Sequence, residues 1–233
     1  MTMIGDNLQR AHARIAAACR AAQRDAGAVA LLAVSKTFGA DMVREAFAAG
    51  QTAFGENYLQ EAVDKMAELR DLPLQWHCIG PIQSNKTRLV AQHFDWAHTI
   101  DRLRIAQRLN DQRPLGMEPL QVCVQVNTDG GPTKSGVAPQ ETLALLREVA
   151  KLPHLRLRGL MTIPEPVSDF SAQLAVHSRA KALFDAMAAE LGPGLDCFDT
   201  LSMGMTADLE AAVQAGSTLV RVGTAIFGGR PKR

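Results

Sequence analysis

Val29-Ala-Leu-Leu-Ala-Val-Ser-Lys36 decides the architecture. The run is aliphatic and carries no charge before its last residue, the pattern of a strand buried on both faces of a parallel sheet. Thr37-Phe-Gly39 and a helical stretch follow it, which makes a strand–loop–helix unit, and the unit recurs along the chain. Strand-like runs are read at 29–35, 52–55, 74–79, 94–100, 120–127, 155–162, 200–203 and 218–222. Helical stretches at 40–49, 58–70, 85–93, 102–112, 140–151, 172–191 and 207–214 lie between them. Before the first strand comes an amphipathic helix with Leu8, Ala11, Ile15, Ala18, Cys19 and Ala22 on one stripe and a stop near Gly27. Asp41, Ser84 and Asp101 read as caps of three helices. Eight strands alternating with helices over residues 1–233 predict one α/β domain, a single (β/α)8 TIM-type barrel with an extra N-terminal helix. An open doubly wound sheet is the competitor. Its dinucleotide-binding form is weakened because no G-x-G-x-x-G follows the first strand.

Composition excludes several functions. Hydrophobic residues make up 47% and charged residues 21%, enough apolar material for a full core. The net charge of +1 leaves no electrostatic footprint for nucleic acid or an anionic membrane. No apolar run is long enough for a membrane span, and the charges Asp6, Arg10, Arg14, Arg20 and Arg24 leave no room for a signal-peptide core near the start. Cys19, Cys78, Cys123 and Cys197 stand far apart, without a C-x-x-C pair or matching histidines. They read as small hydrophobes in a reducing cytoplasm, neither a disulfide frame nor a zinc site. The basic segment at 229–233 reads as a solvated terminus.

Barrels of this kind place their chemistry at the C-terminal ends of the strands. The polar strand ends are Ser35-Lys36, Gly55-Glu-Asn57-Tyr58, His77 through Lys86, Asn127-Thr-Asp129, Met161-Thr-Ile-Pro164, Ser202-Met-Gly-Met-Thr206 and Arg221-Val-Gly-Thr224. Lys36 alone reads as an ordinary strand-end lysine that reaches into water. An ammonium at the mouth of a buried strand is also readily desolvated, which suits a Schiff-base nucleophile. Opposite it, Ser202 and Thr224 supply hydroxyls, Gly204 and Gly223 allow close backbone approach, and Gly223-Thr-Ala-Ile-Phe227 opens a short helix. That is the place where such barrels hold phosphate. A phosphorylated carbonyl compound fits both ends, and pyridoxal 5′-phosphate offers an aldehyde to Lys36 and a phosphate to the last two loops.

Three further features carry weaker signals. Asp129-Gly-Gly-Pro-Thr-Lys-Ser-Gly136 has Thr133 where a Walker loop needs glycine, so a flexible turn or lid is read there. His77 reads equally as a packing residue or as a group leaning on the ligand. Glu56 is read as tuning the site or complementing a helix dipole.

Six ordered blocks carry a family resemblance over essentially the whole chain. They are Ala33-Val-Ser-Lys36-Thr, Phe54-Gly-Glu-Asn57-Tyr, Trp76-His-Cys-Ile-Gly-Pro-Ile-Gln-Ser-Asn-Lys86, Arg158-Gly-Leu-Met-Thr162, Leu201-Ser-Met-Gly-Met205 and Val220-Arg-Val-Gly-Thr-Ala-Ile-Phe-Gly228. The sequence resembles the pyridoxal phosphate homeostasis protein family, whose single barrel is similar to the N-terminal domain of alanine racemase. The resemblance implies a covalent link between the cofactor and Lys36, with Arg221 facing the pyridine nitrogen. It implies that Ser202, Gly223 and Thr224 hold the phosphate, with Asn57 nearby, and that His77 and Met203 are also among the cofactor-binding residues. Cys78 departs from the family pattern, where an aromatic residue is expected between His77 and Ile79.

A guanidinium only donates hydrogen bonds, so a pyridine nitrogen beside Arg221 is an unprotonated acceptor and a weaker electron sink. In the related racemases the second base is a tyrosine of a further domain. This chain has one tyrosine, Tyr58, in another context, and ends nine residues after Thr224. The expectation is therefore a cytoplasmic, monomeric carrier or buffer of pyridoxal phosphate that supplies apo-enzymes dependent on it, without efficient catalysis. The alternatives are an amino-acid racemase with the same cofactor and a cofactor-free Schiff-base aldolase.

Overall fold

Eight parallel strands close into a barrel in chain order, each paired with its sequence neighbours. The computed structural model describes residues 2–130, 135–195 and 197–229. Residues 131–134 of the glycine-rich segment and residues 230–233 of the basic tail lie outside the described residues. The strands are β1 (Ala30–Val34), β2 (Ala53–Glu56), β3 (Gln75–Cys78), β4 (Trp96–Ile100), β5 (Leu120–Gln125), β6 (Leu155–Met161), β7 (Thr200–Ser202) and β8 (Leu219–Val222). Helix α1 (Met3–Ala21) precedes β1. The crossovers carry α2 (Ala40–Ala48), α3 (Leu59–Glu68), α4 (Thr87–His93), α5 (Leu103–Gln112), α6 (Pro139–Val149), α7 (Phe170–Leu191) and α8 (Leu209–Ala215). A four-residue helix, α9 (Thr224–Phe227), follows β8. Closure is a parallel pairing of β1 with β8 that runs from Ala30 opposite Leu219 to Ala33 opposite Val222. The predicted barrel and its leading helix are therefore the observed ones.

The boundaries differ from the sequence reading for local reasons. Helix α1 ends at Ala21, because Gln23 adopts a left-handed φ of 54° well before Gly27, and Ala22 is its half-buried C-cap. The stretch read as one helix from 85 splits into a single 3-10 turn, Ser84–Lys86, and then α4. The three caps expected at Asp41, Ser84 and Asp101 are not made. Gly39 precedes α2 without a side-chain bond, Asp41 sits in its first turn, and Asp101 pairs with Arg102. The side chains that do cap are Thr2, which accepts from Gly5 N–H, and Asp169, which accepts from Ala172 N–H. Both satisfy N–H groups that a helix start leaves without partners.

Most of the core lies between barrel and helices, with Phe54, Phe94, Ile105, Leu109, Leu146 and Leu160 fully buried there. Inside the barrel are two small apolar clusters, Leu32–Val34–Ile79–Leu219 and Trp96–Cys123–Met161. The rest of the interior is unusually polar, with His77, His98, Ser202 and Arg221 all buried. Helix α1 closes the ring from outside. It packs on α8 and α9, Arg14 pairs with Glu210 at 2.7 Å, and Asn7 Nδ2 donates to the Ile226 carbonyl at 2.8 Å. That last bond ties α1 to the helix that borders the site.

One glycine is indispensable to closure. Gly159 takes a φ of 153° where the β5–β6 pairing skips a residue, and a methyl group there would drive into the carbonyl oxygen of Thr200 on β7. Backbone cannot yield as a flexible side chain does. Gly159→Ala is expected to destabilise the fold by about 4 kcal/mol or more, read as the shift of a urea unfolding midpoint. A change below about 1 kcal/mol would mean that the β6–β7 ladder shifts to absorb the methyl.

Candidate ligand site at the barrel mouth

A cavity of about 260 Å³ opens among the C-terminal strand ends. Val34, Lys36 and Phe38 enter from β1 and its loop, Asn57 from the loop after β2, and Ile79 from the end of β3. Ile163 follows β6, while Met205, Thr206 and Ala207 follow β7. Arg221, Gly223 and Thr224 complete the wall from β8 onward. The volume lies just below the usual range for small-molecule sites, and the lining is apolar with a few polar groups aimed inward, as such sites are.

Lys36 stands half-buried at the end of β1 on an unusual backbone. Thr37, directly after it, holds a left-handed φ of 69°. For a β-branched residue that is a strained state costing about 1–3 kcal/mol. It persists because Glu61 of α3 accepts from Thr37 N–H at 2.8 Å. On the other side of Lys36, Lys65 Nζ donates to the Ser35 carbonyl at 2.9 Å and to Glu56 Oε1 at 2.6 Å. Ser35 Oγ donates to the same Glu56 oxygen at 2.7 Å. Glu56 and Lys65 are both buried, and burial pushes the Glu56 carboxyl up more than Lys65 pulls it down. A buried pair of this kind adds little net stability, but losing one member strands the other, so it fixes geometry. It clamps the backbone on which Lys36 sits.

Arg221 is 4% exposed and lines the cavity floor. Its NH1 donates to Ser202 Oγ at 2.7 Å and its NH2 to the Thr162 carbonyl at 2.9 Å. Burial lowers its pKa to about 10, which leaves it cationic at neutral pH. Among the described residues no carboxylate pairs with it. Asp208 acts on it from beyond contact distance, and a buried cation without a contacting carboxylate suits an electron-rich ligand.

The structure places Lys36, Asn57, Arg221, Gly223 and Thr224 around one cavity. His77, Ser202 and Met203 do not line it. Met203 is fully buried in the outer core, a consequence of strand alternation, since Ser202 next to it points into the barrel. The Ser202 hydroxyl is engaged with Arg221 and His98, and the hydroxyl that stands 3.4 Å from Thr224 Oγ1 belongs to Thr206. Thr206 reaches that place because Gly204, at φ 91°, turns the chain tightly over Ala212. Gly223, at φ −114°, needs no glycine conformation, but it passes within 3.3 Å of the Val34 carbonyl for any added Cβ. Asn57 Oδ1 is buried without a partner in the cavity wall. An aldehyde-reactive amine, a donor-only cation, two hydroxyls beside a helix start and an orphan acceptor together fit a phosphorylated pyridine aldehyde.

Sequence reasoning missed Lys65 and His98, and placed Thr206 at the barrel mouth without giving it a role. Lys65 carried a signal, because it shares the apolar stripe of α3 with Ala62 and Leu69. His98 carried one too, two residues from Trp96 and Ile100 on a fully buried strand. Among the described residues no cluster of His, Cys, Asp or Glu could hold a metal, and no helix is long and apolar enough to cross a membrane.

Comparisons with known proteins give the same fold and a family. The family model for the alanine racemase N-terminal domain matches residues 11–231. The pyridoxal phosphate homeostasis protein of Pseudomonas aeruginosa is 57% identical over 230 residues, which is 99% of this chain and 97% of that one. The protein of the same name from Escherichia coli is 51% identical over 233 residues, 99% of this chain and 98% of that one. Among solved structures, PipY of Synechococcus elongatus with PLP bound superposes with a TM-score of 0.78 at 38% identity, covering 97% of this chain and 100% of PipY. Alanine racemase of Corynebacterium glutamicum, at 21% identity and a TM-score of 0.65, shares the fold over 62% of its own length. The chain therefore belongs to the alanine racemase N-terminal domain family, among the pyridoxal phosphate homeostasis proteins.

Proposed function

We propose that the protein binds pyridoxal 5′-phosphate in this cavity as a Schiff base on Lys36, and that it carries or buffers the cofactor for apo-enzymes without efficient catalysis of its own. One observation carries the reading: Lys36 and an unpaired buried Arg221 share a cavity of about 260 Å³ whose rim also holds Thr206 and Thr224. The PLP-bound relative and the shared name of the homeostasis proteins support the choice of cofactor. Lys36 supplies the amine. Pyridoxal phosphate would supply the aldehyde to which that amine is joined, with loss of one water. Arg221 holds the ring end as a donor, Thr206 and Thr224 offer hydroxyls to the phosphate, and Asn57 Oδ1 accepts from the ligand.

The absence of a second base supports a carrier. Among the described residues, the cavity wall contains no histidine, tyrosine, cysteine or carboxylate, so Lys36 alone is suited to exchange a proton with a bound amino acid. Racemisation needs a group on each face of the substrate carbon. The test is borohydride reduction of the purified protein after addition of pyridoxal phosphate, followed by peptide sequencing by mass spectrometry. The expected result is a pyridoxyl-phosphate group on Lys36, together with no multiple-turnover conversion of L-alanine to D-alanine. An unmodified Lys36 would overturn the cofactor site, and sustained racemisation would overturn the carrier.

A further inference from the structure

Five side chains form an unbroken hydrogen-bonded chain across the barrel interior. Arg221 NH1 donates to Ser202 Oγ at 2.7 Å, and Ser202 Oγ lies 3.0 Å from His98 Nδ1. His98 Nε2 lies 2.9 Å from His77 Nδ1, and His77 Nε2 lies 3.1 Å from Gln75 Oε1. The chain links β8, β7, β4 and β3, so it crosses the barrel from the ligand cavity to the exposed Gln75 at the opposite end.

Its polarity has one solution. A guanidinium has no acceptor, so the Ser202 oxygen accepts from Arg221. The other directions are set from the far end, where the Gln75 carbonyl oxygen only accepts, so that with both rings neutral each imidazole donates through Nε2 and Ser202 gives its hydrogen to His98 Nδ1. His98 then carries its proton on Nε2 and donates to His77 Nδ1. His77 in turn carries its proton on Nε2 and donates to the Gln75 carbonyl oxygen, which can only accept. Every dipole thus points its negative end toward Arg221. That arrangement stabilises a buried cation that no carboxylate pairs with among the described residues. The chain is also held rigidly. The Trp96 ring stacks on His77 with centroids 5.2 Å apart and planes 7° from parallel, and Arg158 Cζ caps the Trp96 ring at 4.8 Å. Both imidazoles are buried and neutral, held so by desolvation, with the charge of Arg221 adding to the effect at His98.

We propose that His98 and His77 are positioning residues for the ligand cavity: acting through Ser202, they fix the charge and orientation of Arg221, and so the direction in which its remaining N–H groups meet the ring of the bound cofactor. Neither histidine lines the cavity, and their hydrogen-bonded link to Arg221 runs through the Ser202 hydroxyl. The role of the chain at the cofactor rests on the reading that pyridoxal phosphate occupies this cavity. The polarity of the chain does not.

The experiment has two parts. In the ligand-free protein, the 15N shifts of the imidazole nitrogens are expected to report neutral rings with the proton on Nε2 at both His77 and His98. A cationic ring, or a proton on Nδ1 of His98, would overturn the inference without reference to any ligand. In the second part, pyridoxal phosphate is titrated into the unchanged protein, His98→Leu and His98→Gln, following affinity and the absorption band of the bound species. Leucine leaves Ser202 without its acceptor and is expected to weaken binding about tenfold and to move the band. Glutamine keeps one acceptor and one donor and is expected to restore both to within about twofold. A folded His98→Leu with unchanged affinity and band would overturn the positioning role. If the unchanged protein formed no adduct on Lys36, the functional reading would fail, while the nitrogen shifts would still decide the chain.

Discussion

Lys36→Ala is expected to abolish the borohydride-trapped pyridoxyl group completely and to remove the absorption band of the bound cofactor, while the protein keeps its fold. The loss should be total because, among the described residues, Lys36 is the one lysine that lines the cavity. Lys65 comes nearest along the structure, since it donates to the carbonyl of Ser35, the residue before Lys36. Yet Lys65 is 4% exposed, held by Glu56 at 2.6 Å and by the Ser35 carbonyl, and does not line the cavity. Lys151 and Lys181 pair with carboxylates on the outer helices, and neither lines the cavity. Lys36 is half-buried at a strand end, so its truncation should change stability by about 1 kcal/mol or less. Reduction, tryptic digestion and mass spectrometry of the variant read the adduct, and a thermal melt reads the fold. A pyridoxyl group that reappeared on Lys65 would show that the Glu56 pair opens and that the attachment point is less selective than the geometry requires.

The contrast between Lys36 and Lys65 also shows what the sequence made legible. Strand order and barrel closure were readable because buried parallel strands leave aliphatic runs, and because polar residues gather where those runs end. Lys36, Asn57, Arg221, Gly223 and Thr224 were found through that rule, and all five meet at one cavity. Helix starts were not readable. Asp41 and Asp101 look like caps, but Asp41 lies inside the first turn of its helix and Asp101 is taken by Arg102. The interior of the barrel was hidden for a different reason. Whether Ser202 serves a phosphate or an arginine depends on which face of β7 it occupies and on what crosses from β4, and His98 lies far from it in sequence. A contact spanning four strands leaves no local pattern. Gly159 is the sharpest case, since only the approach of the Thr200 carbonyl shows why no side chain fits there.

The same buried histidines make the fold sensitive to acid. Between about pH 7.5 and about pH 5, His77 and His98 together are expected to remove up to about 4 kcal/mol from the unfolding free energy. Burial holds the His77 ring down to about 3, and burial with the charges of His77 and Arg221 holds His98 well below its ordinary value of 6.5. Each folded pKa lies below the unfolded one, so as pH falls the unfolded chain takes up protons that the folded chain refuses. Their stabilising contribution is therefore complete above the unfolded value and is lost as pH falls toward the folded values. At about pH 5 each ring is almost fully protonated when unfolded while burial keeps it neutral when folded, which gives up to about 2 kcal/mol per histidine. Asp71, Asp208 and Glu210, whose folded pKa values are lowered by Arg44, His177 and Arg14 respectively, add their losses at lower pH. Domains of this size are stable by only about 5–15 kcal/mol, so the histidine share is large. Urea unfolding at the two pH values measures it, and His98→Gln should remove about half of the loss, because one titrating ring is gone. An unchanged midpoint would mean that the rings accept protons inside the folded barrel. A protonated His98 could not accept from Ser202, so the hydrogen-bonded chain that orients Arg221 would be broken as well.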